Sequence, residues 1–418
     1  MNSWPLRLND ARNASNIMMV QLKSGRERSV LNRHPWIFSG SVESEDGSCK
    51  PGELVEVYDS EKHLLGFGFY NPNSDIRVRM WRFAEEKEEA FGETFRRRLL
   101  SAIELRTALI DLKKTNAFRL VNSSGDRLDG LIIDYYAGHL VIEPLSACVE
   151  AKFSEVFQLL AEIVSSRLDL QSVRLRVEPE AARLEGLTLK TGPWPAGSEL
   201  PAVVPIRELG LAYEVDLERG QKTGFFLDQR ENRNITRTLS KNARVLNLFA
   251  YTGGFTVNAL VGGAREVVSV DSSAPALQLL ERNLAHNGLK ELNRSITHNV
   301  DVKSFLPDAE KKGERFDLVI CDPPPFARSR AHVERAARAY KDINRRAIAL
   351  IDKGWFLTFS CSPFVDAKLF RQIVFSAAVE ASKNARVLRP LGPGEDHPVH
   401  LFHPEGDYLN GLLLRIGE

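Results

Sequence analysis

Four apolar runs of strand length mark the C-terminal half of the chain: ARVLNLF, EVVSVD, FDLVICD and GWFLTFSCS, with stretches of helical periodicity between them. This alternation constrains the fold more than any other feature. Parallel strands need long crossover connections, usually helices, and those helices cover both faces of the sheet. The pattern predicts an α/β fold, a doubly wound, Rossmann-like parallel sheet over residues 201–418. In open sheets of this kind, ligands bind beyond the carboxyl ends of the strands. The residues that follow the four runs are therefore the candidates for chemistry.

The rest of the chain follows other rules. Roughly the first 18 residues form a polar stretch. From Val20 to Phe83 short alternating runs are broken by Pro51-Gly52 and Asn71-Pro72-Asn73. Leu65, Phe67 and Phe69 alternate with Gly66 and Gly68, and Ile76, Val78 and Met80 with Arg77 and Arg79. We read a small β-barrel over residues 19–84. Residues 85–200 read as an α+β unit. A charged helix spans Glu85–Lys113, with Leu99, Ile103, Leu105 and Leu109 as its apolar face. Strands follow near Phe118–Val121, Leu131–Tyr135 and Leu140–Glu143, then a helix over Val149–Arg167 and a strand, SVRLRVE. Nothing in this unit suggests chemistry. A Gly- and Pro-rich loop, TGPWPAGSELPAVVP, ends it.

Composition adds exclusions. Lys and Arg number 56 against 55 for Asp and Glu, so net charge says nothing of a nucleic-acid partner and only a local patch can. The four cysteines form no CxxC pair, which argues against a zinc site and for a reduced, cytoplasmic protein; no metal is expected. The start lacks the apolar core of a signal peptide, and no apolar run is long enough for a membrane span.

The sharpest motif is NLFAYTGGF, Asn247–Phe255, between a strand and a helix. Phe249, Thr252, Gly253 and Gly254 are its candidate ligand contacts, the glycines because they let backbone approach a ligand without a Cβ in the way. Asp271, at the end of EVVSVD, can accept from both hydroxyls of a ribose. Tyr251 and Thr252 stand where a dinucleotide fingerprint needs its first glycine, so a nucleoside without phosphates fits better, S-adenosylmethionine being the obvious one. Asp301, after a third strand, can accept from an adenine amine.

FDLVICDPPPF puts Asp322 at a strand end, followed by three prolines that stiffen one wall of a planar pocket. Cys361 ends the next strand. A thiolate there can add to C6 of a pyrimidine and make C5 nucleophilic enough to accept a methyl group. Cys321 should face the other way. Between these motifs, Arg328, Arg330, Arg335, Arg338, Lys341, Arg345 and Arg346 form a basic stretch that can meet phosphates. One of them is expected to lower the Cys361 pKa.

Together these residues resemble the S-adenosylmethionine-dependent methyltransferases that make 5-methylcytosine in large-subunit ribosomal RNA. The likeness runs from about Val20 to the C-terminus through KTGFFLDQRENR, NLFAYTGGF, VVSVDSS, VDVKSFL, CDPPPF, AYKDINRRA, SCS, DHPV and HPEGDYLNGLLLR. VQLKSGRERSVLNRHPWIFSGSVE is similar to that family's PUA domain, an RNA-binding barrel, which implies RNA contacts at Arg26, Arg28 and Arg33, joined by Arg328, Arg330 and Lys341. The resemblance implies Cys361 as nucleophile, Asp271 and Asp301 as ribose and adenine contacts, and Asp322 as a catalytic and cofactor-side aspartate. It also implies that Lys222–Arg230, with Asp228, Gln229 and Arg230, covers the cofactor. Two departures stand out. Pro325 and Phe326 lie where related enzymes often carry a second cysteine for product release, and Asp352-Lys353-Gly354-Trp355 replaces a Pro-Gly-Gly. The implied substrate is ribosomal RNA, free or partly assembled, with a homodimer left open. Two alternatives remain: a guanine methyltransferase on the same scaffold, in which Cys361 is structural, and an RNA-binding assembly factor without catalysis.

Overall fold

The computed structural model describes residues 17–327 and 329–417; the polar stretch up to residue 16 and Arg328 lie outside the described residues. Six strands, β1 (Met19–Leu22), β2 (Trp36–Phe38), β3 (Val42–Asp46), β4 (Leu54–Tyr58), β5 (Leu64–Tyr70) and β6 (Ile76–Phe83), pair in the order β2-β6-β5-β4-β1-β3, with a one-turn helix, α1 (Arg28–Leu31), after β1. Val20, Leu22, Val55, Val57, Val78 and Met80 alternate inward and form its core. Gly66 carries a φ of 150°, and a Cβ there would collide with the Arg82 carbonyl, so this strand needs its glycine for close approach.

The middle of the chain carries α2 (Phe91–Leu109) and β7 (Ala117–Asn122), β8 (Leu131–Tyr136), β9 (His139–Pro144), β10 (Ser172–Leu175) and β11 (Gly192–Trp194) in the order β11-β10-β9-β8-β7. Three helices, α3 (Ala147–Ala151), α4 (Phe153–Arg167) and α5 (Pro179–Glu185), complete it. The buried face of α2 differs from the one expected. Leu99 and Ile103 are buried, but Leu105 and Leu109 are 38% and 45% exposed. Phe95, Ala102 and two arginines take their place inside. Arg106 pairs with Asp126 at 2.8 Å and Arg98 donates to the Trp81 carbonyl, so a buried cation with partners displaces a leucine to the surface. The Gly- and Pro-rich loop also hides structure: β11 lies within it and β12 (Val203–Glu208) starts before it ends, pairing with β13 (Leu211–Asp216). Pro205 reads as a breaker, yet proline is tolerated in a two-stranded ribbon whose other side needs no donor.

Beyond α6 (Arg230–Leu239) come β14 (Arg244–Leu248), α7 (Gly254–Val261), β15 (Glu266–Asp271), α8 (Ala274–His286), β16 (Ser295–Asn299), α9 (Val302–Lys311), β17 (Leu318–Cys321), α10 (Val333–Ala349), β18 (Gly354–Ser360), α11 (Ala367–Glu380), β19 (Ala385–Leu391) and β20 (Asn410–Ile416). The sheet order is β16-β15-β14-β17-β18-β20-β19. Its first five strands are parallel, as expected; β20 inserts antiparallel between β18 and β19. Apolar clusters on both faces make it doubly wound. Strand order reverses between β14 and β17, and a crevice opens at such a switch point.

Candidate active site

The carboxyl ends of five adjacent strands set out the site in one row. Asp301 follows β16, Asp271 ends β15, Phe249–Gly254 follow β14, Asp322 follows β17 and Cys361 follows β18. The turn after β14 is left-handed at Phe249 (φ 60°), Tyr251 (47°) and Gly253 (80°). Strain of this kind persists where surrounding structure holds it. Asp271 supplies the hold: Oδ2 accepts the Tyr251 N–H and Oδ1 the Ser273 N–H, each at 2.8 Å. Each oxygen keeps a lone pair for another donor.

The glycines serve packing. A Cβ on Gly253 would strike Leu280 of α8, and one on Gly254 would lie 2.8 Å from Arg233 Cδ. Protein fills the space a Cβ would need at both, so Gly253 serves a positive φ and packing against α8, and Gly254 close packing against α6. Thr252 Oγ1 is buried and has no hydrogen-bond partner among the described residues. Asp301 is exposed at the N-cap of α9, where its Oδ1 accepts the Lys303 N–H at 2.7 Å. Lys303, with Pro325, Phe326 and the α10 residues Arg335, Ala336 and Ala339, lines a cavity of about 300 Å³.

At the other end of the row, Cys361 Sγ lies 3.6 Å from the Pro323 carbonyl. Ser362 accepts the backbone N–H groups of Phe326 and Ala327 at 3.1 and 3.2 Å and bonds Tyr340, which pins the proline loop against this strand end. Burial, then the neighbouring Asp322 charge, push the Cys361 thiol up to about 12, against the opposing pull of Lys222. This corrects the expectation of a lowered pKa, and the cation is Lys222 rather than a member of the 328–346 stretch. Burial and Asp228 raise Asp322 to about 7, opposed by Lys222, Arg233 and a 3.0 Å hydrogen bond from Gln229 Nε2 to Asp322 Oδ2. Lys222 Nζ and Tyr408 OH each donate to Asp228 Oδ2 at 2.7 Å. Burial alone would raise the Asp228 carboxyl, but Lys222, His397 and Tyr408 hold it well below the usual range. Its Oδ1 is buried and unpartnered among the described residues.

Two further expectations change. Arg230 aims its guanidinium away from the crevice, at Asp396 (3.0 Å) and Glu231 (3.1 Å), so it clamps the loop to the C-terminal segment. In the basic stretch, Lys341 pairs with Glu380, and Arg345 and Arg346 with Glu310 and Asp342; neutralised in this way, they differ from Arg330, Arg335 and Arg338, which have no acidic partner among the described residues. Arg33 is paired with Glu85 at 2.8 Å, while Arg26 and Arg28 are exposed and have no such partner among the described residues.

Comparison with known proteins gives the family and supports the fold. Residues 20–83 match the PUA-like domain family, and residues 190–385 match the S-adenosylmethionine-dependent methyltransferase family. Ribosomal RNA large subunit methyltransferase I of Tolumonas auensis is 40% identical over 398 residues, 95% of this chain and 98% of that protein. The Aeromonas salmonicida protein of the same name is 40% identical over 95% of this chain and 99% of its own length. The chain belongs to the ribosomal RNA large subunit methyltransferase I family. A solved chain from Streptococcus mutans, described as a SAM-dependent methyltransferase, shares the fold, with a TM-score of 0.79, 21% identity and coverage of 95% of this chain and 99% of that one.

As a member of this family the chain is an S-adenosylmethionine-dependent methyltransferase. The crevice fits that cofactor. It offers acceptors to hydroxyls and amines through Asp271, Asp301 and the spare Asp228 oxygen, and an unsatisfied Thr252 hydroxyl. Sequence reasoning missed several groups. In the sequence Lys222 reads only as part of a covering loop, and Tyr408 only as part of a tail motif. The middle unit, read as inert, supplies Arg119 and Asp134: Arg119 Nε donates to Asp134 Oδ1 at 2.8 Å, and Thr223, next to Lys222, donates to Asp134 Oδ2. The only available signal was their charge within otherwise apolar strands, AFRLVN and LIIDYY.

Proposed function

We propose that this family member methylates C5 of a cytosine in large-subunit ribosomal RNA, with Cys361 as covalent nucleophile and Asp322 as its acid–base partner, acting in the cytoplasm. We take the chain to divide at 84/85 and 200/201 into a PUA-like RNA-binding unit, a central unit and the methyltransferase unit. The observation that carries the reading is a half-buried thiol at the end of β18, one strand from a carboxyl that burial raises to about 7 and close to a half-buried lysine. Methylation of a ring nitrogen or amino group has no use for that thiol. No helix among the described residues is long and apolar enough to cross a membrane.

When bound, S-adenosylmethionine supplies an electrophilic methyl group. Asp271, Asp301, Thr252 and Asp228 are the residues assigned to hold it. The Cys361 thiolate, its proton released to solvent, bonds through sulfur to C6; the C5–C6 π pair moves into the C4–C5 bond and the C4–N3 π pair moves onto N3. Asp322, protonated, donates to N3 as that charge develops. As C5 takes the methyl group, N3 returns its proton to Asp322; water then removes the C5 proton, the C5–C6 double bond re-forms, the C6–S bond breaks and the thiolate leaves. Mapping large-subunit ribosomal RNA from a deletion strain by mass spectrometry tests this reading. A 5-methylcytosine should disappear and return with wild-type enzyme; loss of a methylguanine instead would transfer the assignment to the guanine chemistry.

The two pKa values imply a pH profile. Protonated Asp322 and ionised Cys361 are needed together. Below about pH 7 Asp322 is already protonated, so kcat/KM should rise tenfold per pH unit with the thiolate fraction. Between Asp322 at about 7 and Cys361 at about 12, the fall of one form offsets the rise of the other, and the profile should be level. Asp322→Asn removes the proton donor and the break with it. A wild-type profile without a break near neutrality would separate Asp322 from the chemistry.

Asp271→Ala is expected to weaken S-adenosylmethionine binding by about 1.5–3 kcal/mol for each charge-assisted bond lost. Unchanged affinity by calorimetry would reject the assigned pocket. RNA affinity should fall steeply with salt. Arg79 of β6 is buried between Asp129 and Glu185, both at 2.8 Å, so deleting the N-terminal unit would strand two buried acids. Single charge reversals avoid this. Arg26→Glu, Arg28→Glu or Arg335→Glu should each lower the log–log salt slope by about 0.7–0.9 if it removes one phosphate contact. Lys341→Glu, already paired in the free protein, should change it least.

A further inference from the structure

The HPEGDY stretch, His403–Tyr408, reaches the active site through Tyr408 and Asp228. Its other end meets the N-terminal sheet. There His34 Nε2 lies 3.1 Å, and His403 Nε2 3.9 Å, from Glu405 Oε2. One donor atom from each of the three lies within 4.8 Å of the other two. His403 is only 4% exposed, and its Nε2 has no hydrogen-bond partner among the described residues. A buried ring nitrogen left unsatisfied needs a reason. This one faces a carboxylate and a second imidazole, and His34 and Glu405 come together from 371 residues apart in the chain.

We propose that His34, His403 and Glu405 form a binding site for a divalent transition-metal ion of the zinc(II) type. Zinc bonds imidazole nitrogen and carboxylate oxygen at about 2.0–2.2 Å, which in a tetrahedron spaces the ligands about 3.3 Å apart. The separations of 3.1 and 3.9 Å lie on either side of that value. Magnesium and calcium prefer all-oxygen sets, so two imidazoles select against them. The surroundings of His34 suit either state. Its Nδ1 lies 3.2 Å from the Trp36 carbonyl and 3.1 Å from the Trp36 N–H. With Nδ1–H donating to the carbonyl, Nε2 turns its lone pair to the ion, the outer-shell arrangement common around metal-bound histidine. With the other tautomer, Nε2–H donates to Glu405 and the joint holds without metal. The Glu405 side chain is 47% exposed, which leaves the fourth position to water. The ion ties the PUA-like unit to the segment that carries Tyr408. Cysteine spacing argued against zinc, but this site uses no cysteine.

The full chain, stripped with a chelator and titrated with Co(II), should bind one ion per chain with visible d–d bands, and Zn(II) should displace it. Glu405→Gln and His403→Ala should each weaken Co(II) binding by about tenfold or more, since even outer-shell partners are worth about 10–100-fold. Glu405 is half exposed, so Glu405→Gln should keep the fold, as circular dichroism would verify, and decides the matter if His403→Ala does not fold. His63→Ala, which removes the exposed histidine paired with Asp59, should leave binding unchanged. Absence of d–d bands, unaltered Co(II) affinity in Glu405→Gln, or loss confined to His63→Ala would overturn the site.

Discussion

Cys361→Ala should bind S-adenosylmethionine and RNA as the wild-type chain does and lose turnover by on the order of 10⁴-fold or more, the scale seen when a covalent nucleophile is removed. Cytosine C5 is too weak a nucleophile to take the methyl group unaided, so no neighbouring group replaces the sulfur. The structure sharpens the expectation. Burial and Asp322 hold the thiol neutral, at about 12, until something offsets the Asp322 charge. Lys222, linked to Asp228 at 2.7 Å, is the cation at hand, and protonation of Asp322 removes the repulsion. RNA carrying 5-fluorocytidine should be trapped by wild-type enzyme, because fluorine cannot leave C5 as a proton does. The adduct should survive denaturation and be absent from Cys361→Ala. Turnover by Cys361→Ala within tenfold of wild type, or no adduct, would end the covalent mechanism.

What could be read from the sequence was what short spacing controls. Asp271, Asp322 and Cys361 were legible because each ends a strand whose apolar run is unmistakable, and a parallel sheet lines up its strand ends without further information. Residues that act across long separations were not. Lys222 sits in a loop with no periodicity, and Tyr408, which donates to the same Asp228 oxygen, lies just before a strand that inserts antiparallel into the sheet. Arg230 illustrates the same limit: its position beside Asp228 suggested a ligand contact, but its partner Asp396 lies 166 residues away. On α2 the hydrophobic pattern itself misled, because Arg98 and Arg106 turn inward where partners await them while Leu105 and Leu109 stay at the surface. Gly253 and Gly254 show a further limit: a glycine signals missing space for a Cβ, and here that space is taken by Leu280 and Arg233.

Asp396→Ala should be the most destabilising single change. Asp396 is fully buried and accepts from both Arg230 Nη atoms at 3.0 and 3.2 Å and from the Arg119 N–H at 2.9 Å, while its own carbonyl takes a 2.7 Å bond from Arg106. One carboxylate thus joins the loop of Asp228, the C-terminal segment and the central sheet. Removing it leaves the buried Arg230 cation hydrogen-bonded to Glu231 alone among the described side chains, and breaking a buried pair from one side costs about 3–5 kcal/mol. At roughly 2–4 °C per kcal/mol for a unit this size, the melting temperature should drop by on the order of 10 °C. The pH dependence has a definite sign. Burial alone would raise the Asp396 carboxyl, but His397, Arg230 and the Arg119 N–H outweigh it and lower it. Its stabilisation is therefore complete above the ordinary carboxylate pKa and is lost as the pH falls below about 5, so acid should destabilise wild type more than Asp396→Ala. Replacing both partners with apolar residues, Arg230→Met with Asp396→Leu, should cost less than the sum of the single changes, because no charge is then stranded. A melting temperature within about 2 °C of wild type for Asp396→Ala, or strict additivity in the double variant, would show that this carboxylate does not hold the three units together.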